Sequence, residues 1–200
     1  AGTEILTWGS ADLAACAVLG ALAGLLSVAL VGLIFRVEGF TRRMGRIRWM
    51  SWPGAMAVVG GLGVGALGLW MPRAIGEGYD TVNLALSGHL EGGLLLLALL
   101  GVAKTVATTL TLGTGAPGGI FAPSLVLGAT LGMLFGGLLH QWFPSAGFAP
   151  ASFFALAAMA GFVSGTMQAP FTGILLALET TEGWHGTLPL ILVAVLATLV

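Results

Sequence analysis

Gly113-Thr114-Gly115-Ala116-Pro117-Gly118-Gly119-Ile120-Phe121-Ala122-Pro123 lies between two apolar runs and carries no charge. Glycine gives the backbone access to positive φ and to close neighbours. Proline in the first turn of a helix surrenders an N–H that would lack an intrahelical partner anyway. The stretch therefore reads as the end of one helix and the start of the next. The apolar runs on either side, residues 94–112 and 120–139, are each long enough to cross a bilayer, which takes about 20 residues. A helix N-terminus inside a membrane presents free N–H groups and the positive end of the helix dipole, an arrangement suited to a small anion. The residues alone leave alternatives open. A Gly-rich break in an apolar chain also serves as a tight turn or a close-packing contact, and broken helices in transporters bind cations at carbonyls as well as anions at amides.

Composition narrows the class. Apolar residues make up 57% of the 200-residue chain and charged residues 8%, with a mean hydropathy of +1.02. Soluble domains carry roughly 25% charge, and so few polar residues cannot cover a water-facing exterior. The expected architecture is all-α: a polytopic membrane protein of tilted and broken helices, with about eight helical segments in a single transmembrane domain spanning residues 1–200. A net charge of −1 excludes the basic face that a nucleic-acid partner requires. Cys16 is the only cysteine, so no intrachain disulfide or thiolate metal site is expected. No secretory signal is visible, the first residue is not methionine, and the last lies within an apolar run. The chain is therefore expected to be part of a longer protein.

In chain order, residues 12–44 predict a long helix with small residues at Gly20, Gly24, Ser27 and Gly32 for close helix approach. Arg36, Arg42, Arg43, Arg46 and Arg48 collect at its end, which places that turn on the cytoplasmic side by the positive-inside rule, with a lipid-headgroup role compatible. Residues 49–71 predict a return helix edged by Trp49, Trp52 and Trp70 as an interfacial belt, with Gly60, Gly61, Gly63, Gly65 and Gly68 for tight packing. A short surface helix is expected over residues 81–86. Residues 92–112 and 120–142 then re-enter and leave the membrane, followed by helices over 151–165, 171–181 and from 187 onward, with a second break at 165–170. Lys104 lies in an apolar segment, where a cation reads either as positive potential along an anion path or as a group that snorkels or pairs with a carboxylate. His89 reads as a loop residue, Glu179 as a solvated or capping group, and the Glu182, Trp184 and His185 turn does not complete a metal shell. Asp12 and Asp80 are the only aspartates and fall at segment edges, so an intramembrane hydrolase has no nucleophile and base to work with.

Residues 113–132, GTGAPGGIFAPSLVLGATLG, resemble the GxFxP anion-binding segment of the CLC family of voltage-gated chloride channels and chloride/proton antiporters. Pro72 with Gly76-Glu77-Gly78-Tyr79-Asp80, the KTVATTLTL run of 104–112, Ala169-Pro170-Phe171-Thr172-Gly173, and Leu178-Glu179-Thr180-Thr181 followed by Leu188-Pro189 fall in the family's order. The similarity covers nearly the whole chain and corresponds to the second of the family's two inverted halves. It implies chloride transport, as channel or antiporter, without cofactor or metal and without enzymatic activity. It further implies an anion held by the backbone N–H groups of Gly119, Ile120, Phe121 and Ala122, with Ile120 and Phe121 at a central anion and Phe121 and Ala122 at an outer one. Gly115, Pro117, Gly118 and Pro123 would belong to the pore-lining motif. The resemblance also implies a homodimer through segments 170–181 and 187–200, in a multi-pass bacterial inner or plasma membrane. The family's serine motif, gating-glutamate motif and pathway tyrosine are not in these 200 residues. A secondary transporter of another anion using the same helix start, or a fragment that conducts only with its other half, are the alternatives.

Overall fold

The computed structural model describes residues 9–44, 54–87, 93–180 and 187–200. The expectations for Trp49, Trp52, Arg46, Arg48, His89, Glu182, Trp184 and His185 lie outside the described residues. Within them the chain forms α1 (Ser10–Met44), α2 (Ala55–Trp70), a 3-10 turn (Pro72–Ala74), α3 (Tyr79–Leu86), α4 (Leu94–Gly113), α5 (Phe121–Trp142), α6 (Ala151–Met167), α7 (Pro170–Thr180) and α8 (Thr187–Leu199). Long apolar stretches without alternation leave each segment to satisfy its own backbone groups, and helices do that without a partner strand.

The helix α6 is the hub, packed against α5, α8, α1 and α7. It has no polar face to turn outward, and residues 153–165 are buried on every side, as expected of a helix that is apolar all round. Its contact with α5 is close because glycine occurs at every fourth position of α5. A Cβ on Gly128, Gly132 or Gly136 would run into the backbone of Met159, Phe154 or Ala151, respectively. Gly20 and Gly24 of α1 seat in the same way on the backbone of α8 at Val193 and Ala197, and Ser27 fits beside Gly165 while donating to the Phe162 carbonyl at 3.2 Å. Gly32 has no such neighbour.

Three helices, α1, α4 and α5, are long and apolar enough to cross a membrane. At about 1.5 Å per residue, the 35 residues of α1 run to roughly 50 Å, more than the roughly 30 Å hydrocarbon core. α1 must therefore tilt or project. Its outward side chains, among them Val18, Leu25, Val28 and Phe35, are exposed and apolar, the surface that lipid requires. By contrast α2 contributes little to the core. Of its glycines Gly60 lies against Thr114, Gly63 against Leu110 and Gly68 against Ile75, whereas Gly61 and Gly65 face open space.

Further polar contacts tie the two ends of α1 to distant parts of the chain. Asp12 is buried and accepts hydrogen bonds from the Gly9 N–H at 2.8 Å and the Ala149 N–H at 2.9 Å, tying the start of α1 to the start of α6. Thr41, at the other end of α1, donates to the Gly113 carbonyl at 2.7 Å. That second contact fixes the point where α4 stops.

Candidate functional site at the head of α5

α4 ends in a Schellman motif. Gly115 takes φ 80°, its N–H donates to the Leu112 carbonyl at 3.0 Å, and the Ala116 N–H reaches the Thr111 carbonyl at 3.1 Å. A left-handed residue after the helix is what this ending demands, and glycine adopts it without a Cβ penalty. The Thr114 hydroxyl takes up the Leu110 carbonyl at 2.6 Å, and Thr41 takes up that of Gly113. The carbonyl end of α4 is thus closed by the chain itself.

The amide end of α5 is not. The N–H groups of Gly118, Gly119, Ile120, Phe121 and Ala122 donate to no carbonyl or side chain among the described residues. Pro123 has no N–H, and bonding resumes with the Ser124 N–H to the Ile120 carbonyl at 3.0 Å. The N-cap residue is Ile120, whose side chain has no oxygen to offer. The Ser124 hydroxyl, which might have turned back to the amides, is a donor to the carbonyls of Ile120 and Phe121 at 2.8 and 2.7 Å. Gly118 and Gly119 are exposed and Ile120 to Pro123 half-buried, so within this chain the helix head is more open than the sequence predicts.

A cavity of about 470 Å³ lies against this head. Gly119, Phe121, Ala122 and Pro123 form one wall, Lys104, Thr108 and Thr111 of α4 another, and Ile75, Gly76 and Glu77 part of a third. Of the residues expected at the site, Gly119, Phe121, Ala122 and Pro123 come together here. Ile120 instead packs against Leu30, Leu127 and Phe162, leaving its amide rather than its side chain for the site. Gly115, Pro117 and Gly118 belong to the turn and do not line the cavity.

Lys104 is buried at 2% exposure and lines the cavity, and among the described residues it pairs with no carboxylate. Its ammonium donates to the Gly76 carbonyl. The middle of α4 is thereby joined to a turn 28 positions earlier in the chain, both lining the cavity. Sequence reading singled out Lys104 but not this partner, and it missed Thr41 altogether. A threonine in the last turn of a helix is a common self-bonding residue, and nothing in its surroundings announces a target 72 positions away. Glu179 is exposed, and no three His, Cys, Asp or Glu side chains among the described residues could hold a metal.

Comparisons with known proteins bear on the family and the fold. The family model described as voltage gated chloride channel matches residues 2–200. The chain is 37% identical over 182 residues to the H(+)/Cl(−) exchange transporter ClcA of Klebsiella pneumoniae (strain 342), an alignment covering 91% of this chain and 38% of that protein. It is 40% identical over 152 residues to the H(+)/Cl(−) exchange transporter ClcA of Cronobacter sakazakii, covering 76% and 31%. The crystal structure of a slow cyanobacterial Cl−/H+ antiporter superposes with a TM-score of 0.84 at 26% identity, over 98% of this chain and 45% of that one. The chain thus spans less than half the length of the proteins it matches. A helix order shared with a solved antiporter and a family match running from Gly2 to Val200 lead to one assignment: this chain belongs to the voltage gated chloride channel family, whose GxFxP segment its residues 113–132 resemble.

Proposed function

We infer that the chain forms one transmembrane unit supplying half of an anion-transport pathway, and that the ion is chloride, moved in exchange for protons. The observation that carries the reading is the run of unbonded N–H groups from Gly118 to Ala122, of whose residues Gly119, Phe121 and Ala122 line the cavity. An anion leaving water needs its hydration replaced, but a full counter-charge would hold it too tightly for fast release. Amide dipoles and the partial positive charge of a helix start attract it moderately. Gly119, Ile120, Phe121 and Ala122 are the donors, while the side chains of Phe121 and Ala122 narrow and dry the passage. The exchange mode is supported by relatives named as H(+)/Cl(−) exchange transporters. The reading involves no cofactor and no covalent chemistry.

The remaining donors of the cage come from parts of the protein outside these residues. The open side of the α5 head is where they would enter, consistent with a chain that covers 38% of its relative. The proposed assembly is a homodimer in a bacterial inner or plasma membrane. Phe171 and Leu175 of α7 and Leu188, Ile191 and Leu199 of α8 present exposed apolar side chains for the contact.

The test is chloride efflux from liposomes holding the protein with any remainder of its natural chain, with external pH recorded. Chloride efflux accompanied by proton uptake is expected. In Gly119→Glu the new carboxylate meets no atom within 4 Å of its Cβ, so the substitution adds charge rather than a clash. Flux should fall at least about 30-fold, corresponding to some 2 kcal/mol of added repulsion in a partly buried site. Unchanged flux in that variant rejects the site.

A further inference from the structure

Glu77 borders the same cavity as Lys104, Gly119, Phe121 and Ala122, on an exposed turn across from the helix head. Among the described residues it is the only carboxylate in the cavity lining and has no ion-pair partner. Its position is held from both sides. Gly76 and Gly78 flank it with φ of 74° and 83°, a backbone course that L side chains resist. The Gly76 carbonyl accepts from Lys104, and Gly78 sits so close to Val126 of α5 that a Cβ there would overlap it. The bracket Gly76-Glu77-Gly78 is therefore fastened to α4 by a buried ammonium and seated on α5 by a missing side chain. A longer or looser turn would no longer set Glu77 at the edge of this cavity.

We propose that Glu77 is a rim charge that opposes anion entry at the cavity mouth and sets the apparent chloride affinity, and that Lys104 is the positioning residue that keeps it there. The proposal rests on the chloride reading above and deepens it. A lysine in an anion cavity would ordinarily be read as bait for the ion. Here its hydrogen bond is directed at the Gly76 carbonyl, so besides its own charge it fixes the turn that carries the carboxylate. Of the other charged side chains nearby, Arg73 and Asp80 lie with Glu77 around a second concavity on the outer side of this turn. They do not line the cavity at the α5 head. Glu77 alone belongs to both.

The experiment is chloride flux against chloride concentration in liposomes, for the wild type, Glu77→Gln and Glu77→Lys. One charge at a water-filled mouth changes the local anion concentration by about two- to fivefold at low ionic strength. KM is expected to fall by that factor in Glu77→Gln and further in Glu77→Lys, with the change carried by KM rather than kcat. The gap between the three proteins should close when an impermeant salt raises the ionic strength. In a Lys104→Met background, Glu77→Gln should shift KM less than it does with Lys104 present. Equal KM values for all three Glu77 proteins, or an effect on kcat alone, overturn the proposal while leaving the chloride site standing. If Gly119→Glu leaves flux intact, it is the chloride site that falls.

Discussion

The chain breaks twice between packed helices, and the two breaks are built from similar parts to opposite effect. Before α5, a left-handed Gly115 closes α4 and a further five residues pass before the next helix begins at Phe121. Before α7, a left-handed Gln168 closes α6 and only Ala169 intervenes before Pro170. The second break closes the end of α6 within a few residues. The Ala169 N–H reaches the Ser164 carbonyl at 3.3 Å, Gln168 Nε2 donates to the Gly165 carbonyl at 3.0 Å, and the Gly173 N–H returns to Ala169. Phe171 and Thr172 keep amides that are free among the described residues, but both residues are exposed and do not line the cavity at the α5 head. The first break spends its extra residues differently. Its spacer, rich in glycine, leaves the N–H groups of Gly118, Gly119 and Ile120 unbonded, and the run of free donors continues through Phe121 and Ala122 beside the cavity. The contrast shows that a Gly/Pro interruption is not a site in itself. What distinguishes one is a spacer too short to fold and too long to close.

The sharpest way to break this comparison is to delete one donor at each helix start without altering a side chain. Replacing the residue at 121 by its α-hydroxy acid turns the Phe121 N–H into an ester oxygen, and the same change at 171 treats α7 alike. A hydrogen bond to a charged partner contributes about 1.5–3 kcal/mol, so the ester at 121 should weaken chloride binding roughly 10- to 100-fold, measured by calorimetry in detergent. The ester at 171 should leave affinity within about twofold. Equal losses at both positions would mean that the two helix starts are equivalent and that the cavity has no special part in anion binding.

A smaller effect separates the two closures. In Gly115→Ala the new Cβ meets no atom within 4 Å, so only the left-handed backbone is penalised. The cost should be about 1–2 kcal/mol, seen as a lower thermal midpoint, with a flux loss in proportion to misplacement of the spacer. A variant that kept its stability would show that the turn before α5 is set from elsewhere, with Thr41 on the Gly113 carbonyl as the first candidate.

How much of this was legible beforehand follows from the same two breaks. Helix bounds followed from composition and punctuation. The start near Ile120, the helix over 151–165 and the helix over 171–181 lie within a residue or two of α5, α6 and α7, because glycine and proline act on the backbone locally. The candidate donors were legible for the same reason. The contacts that hold the site were not. Asp12 with Ala149, Thr41 with Gly113 and Lys104 with Gly76 join positions 137, 72 and 28 apart, and each pairs a side chain with a backbone group that every residue type possesses. A side chain bound to a generic carbonyl or amide leaves no complementary residue for a sequence pattern to reveal. The glycines of α2 erred the other way: spacing suggested packing at Gly61 and Gly65, but the neighbouring surface is absent from the described residues.

Gln168 offers the finest test, because two opposing terms meet at one residue. With φ 53° it occupies a conformation that costs a side-chain-bearing residue about 1 kcal/mol relative to glycine. Its amide nitrogen recovers a comparable amount by donating to the Gly165 carbonyl, a group left open where α6 ends. Gln168→Gly relieves the first and forfeits the second, so the thermal midpoint should move by no more than about 2 °C in either direction. Gln168→Ala retains the strain and loses the bond, and should fall about 1 kcal/mol below both. Chloride flux should be the same in all three, since nothing at this break faces the cavity at α5. If Gln168→Gly instead altered transport while Gly115→Ala did not, the roles assigned to the two interruptions would have to be exchanged.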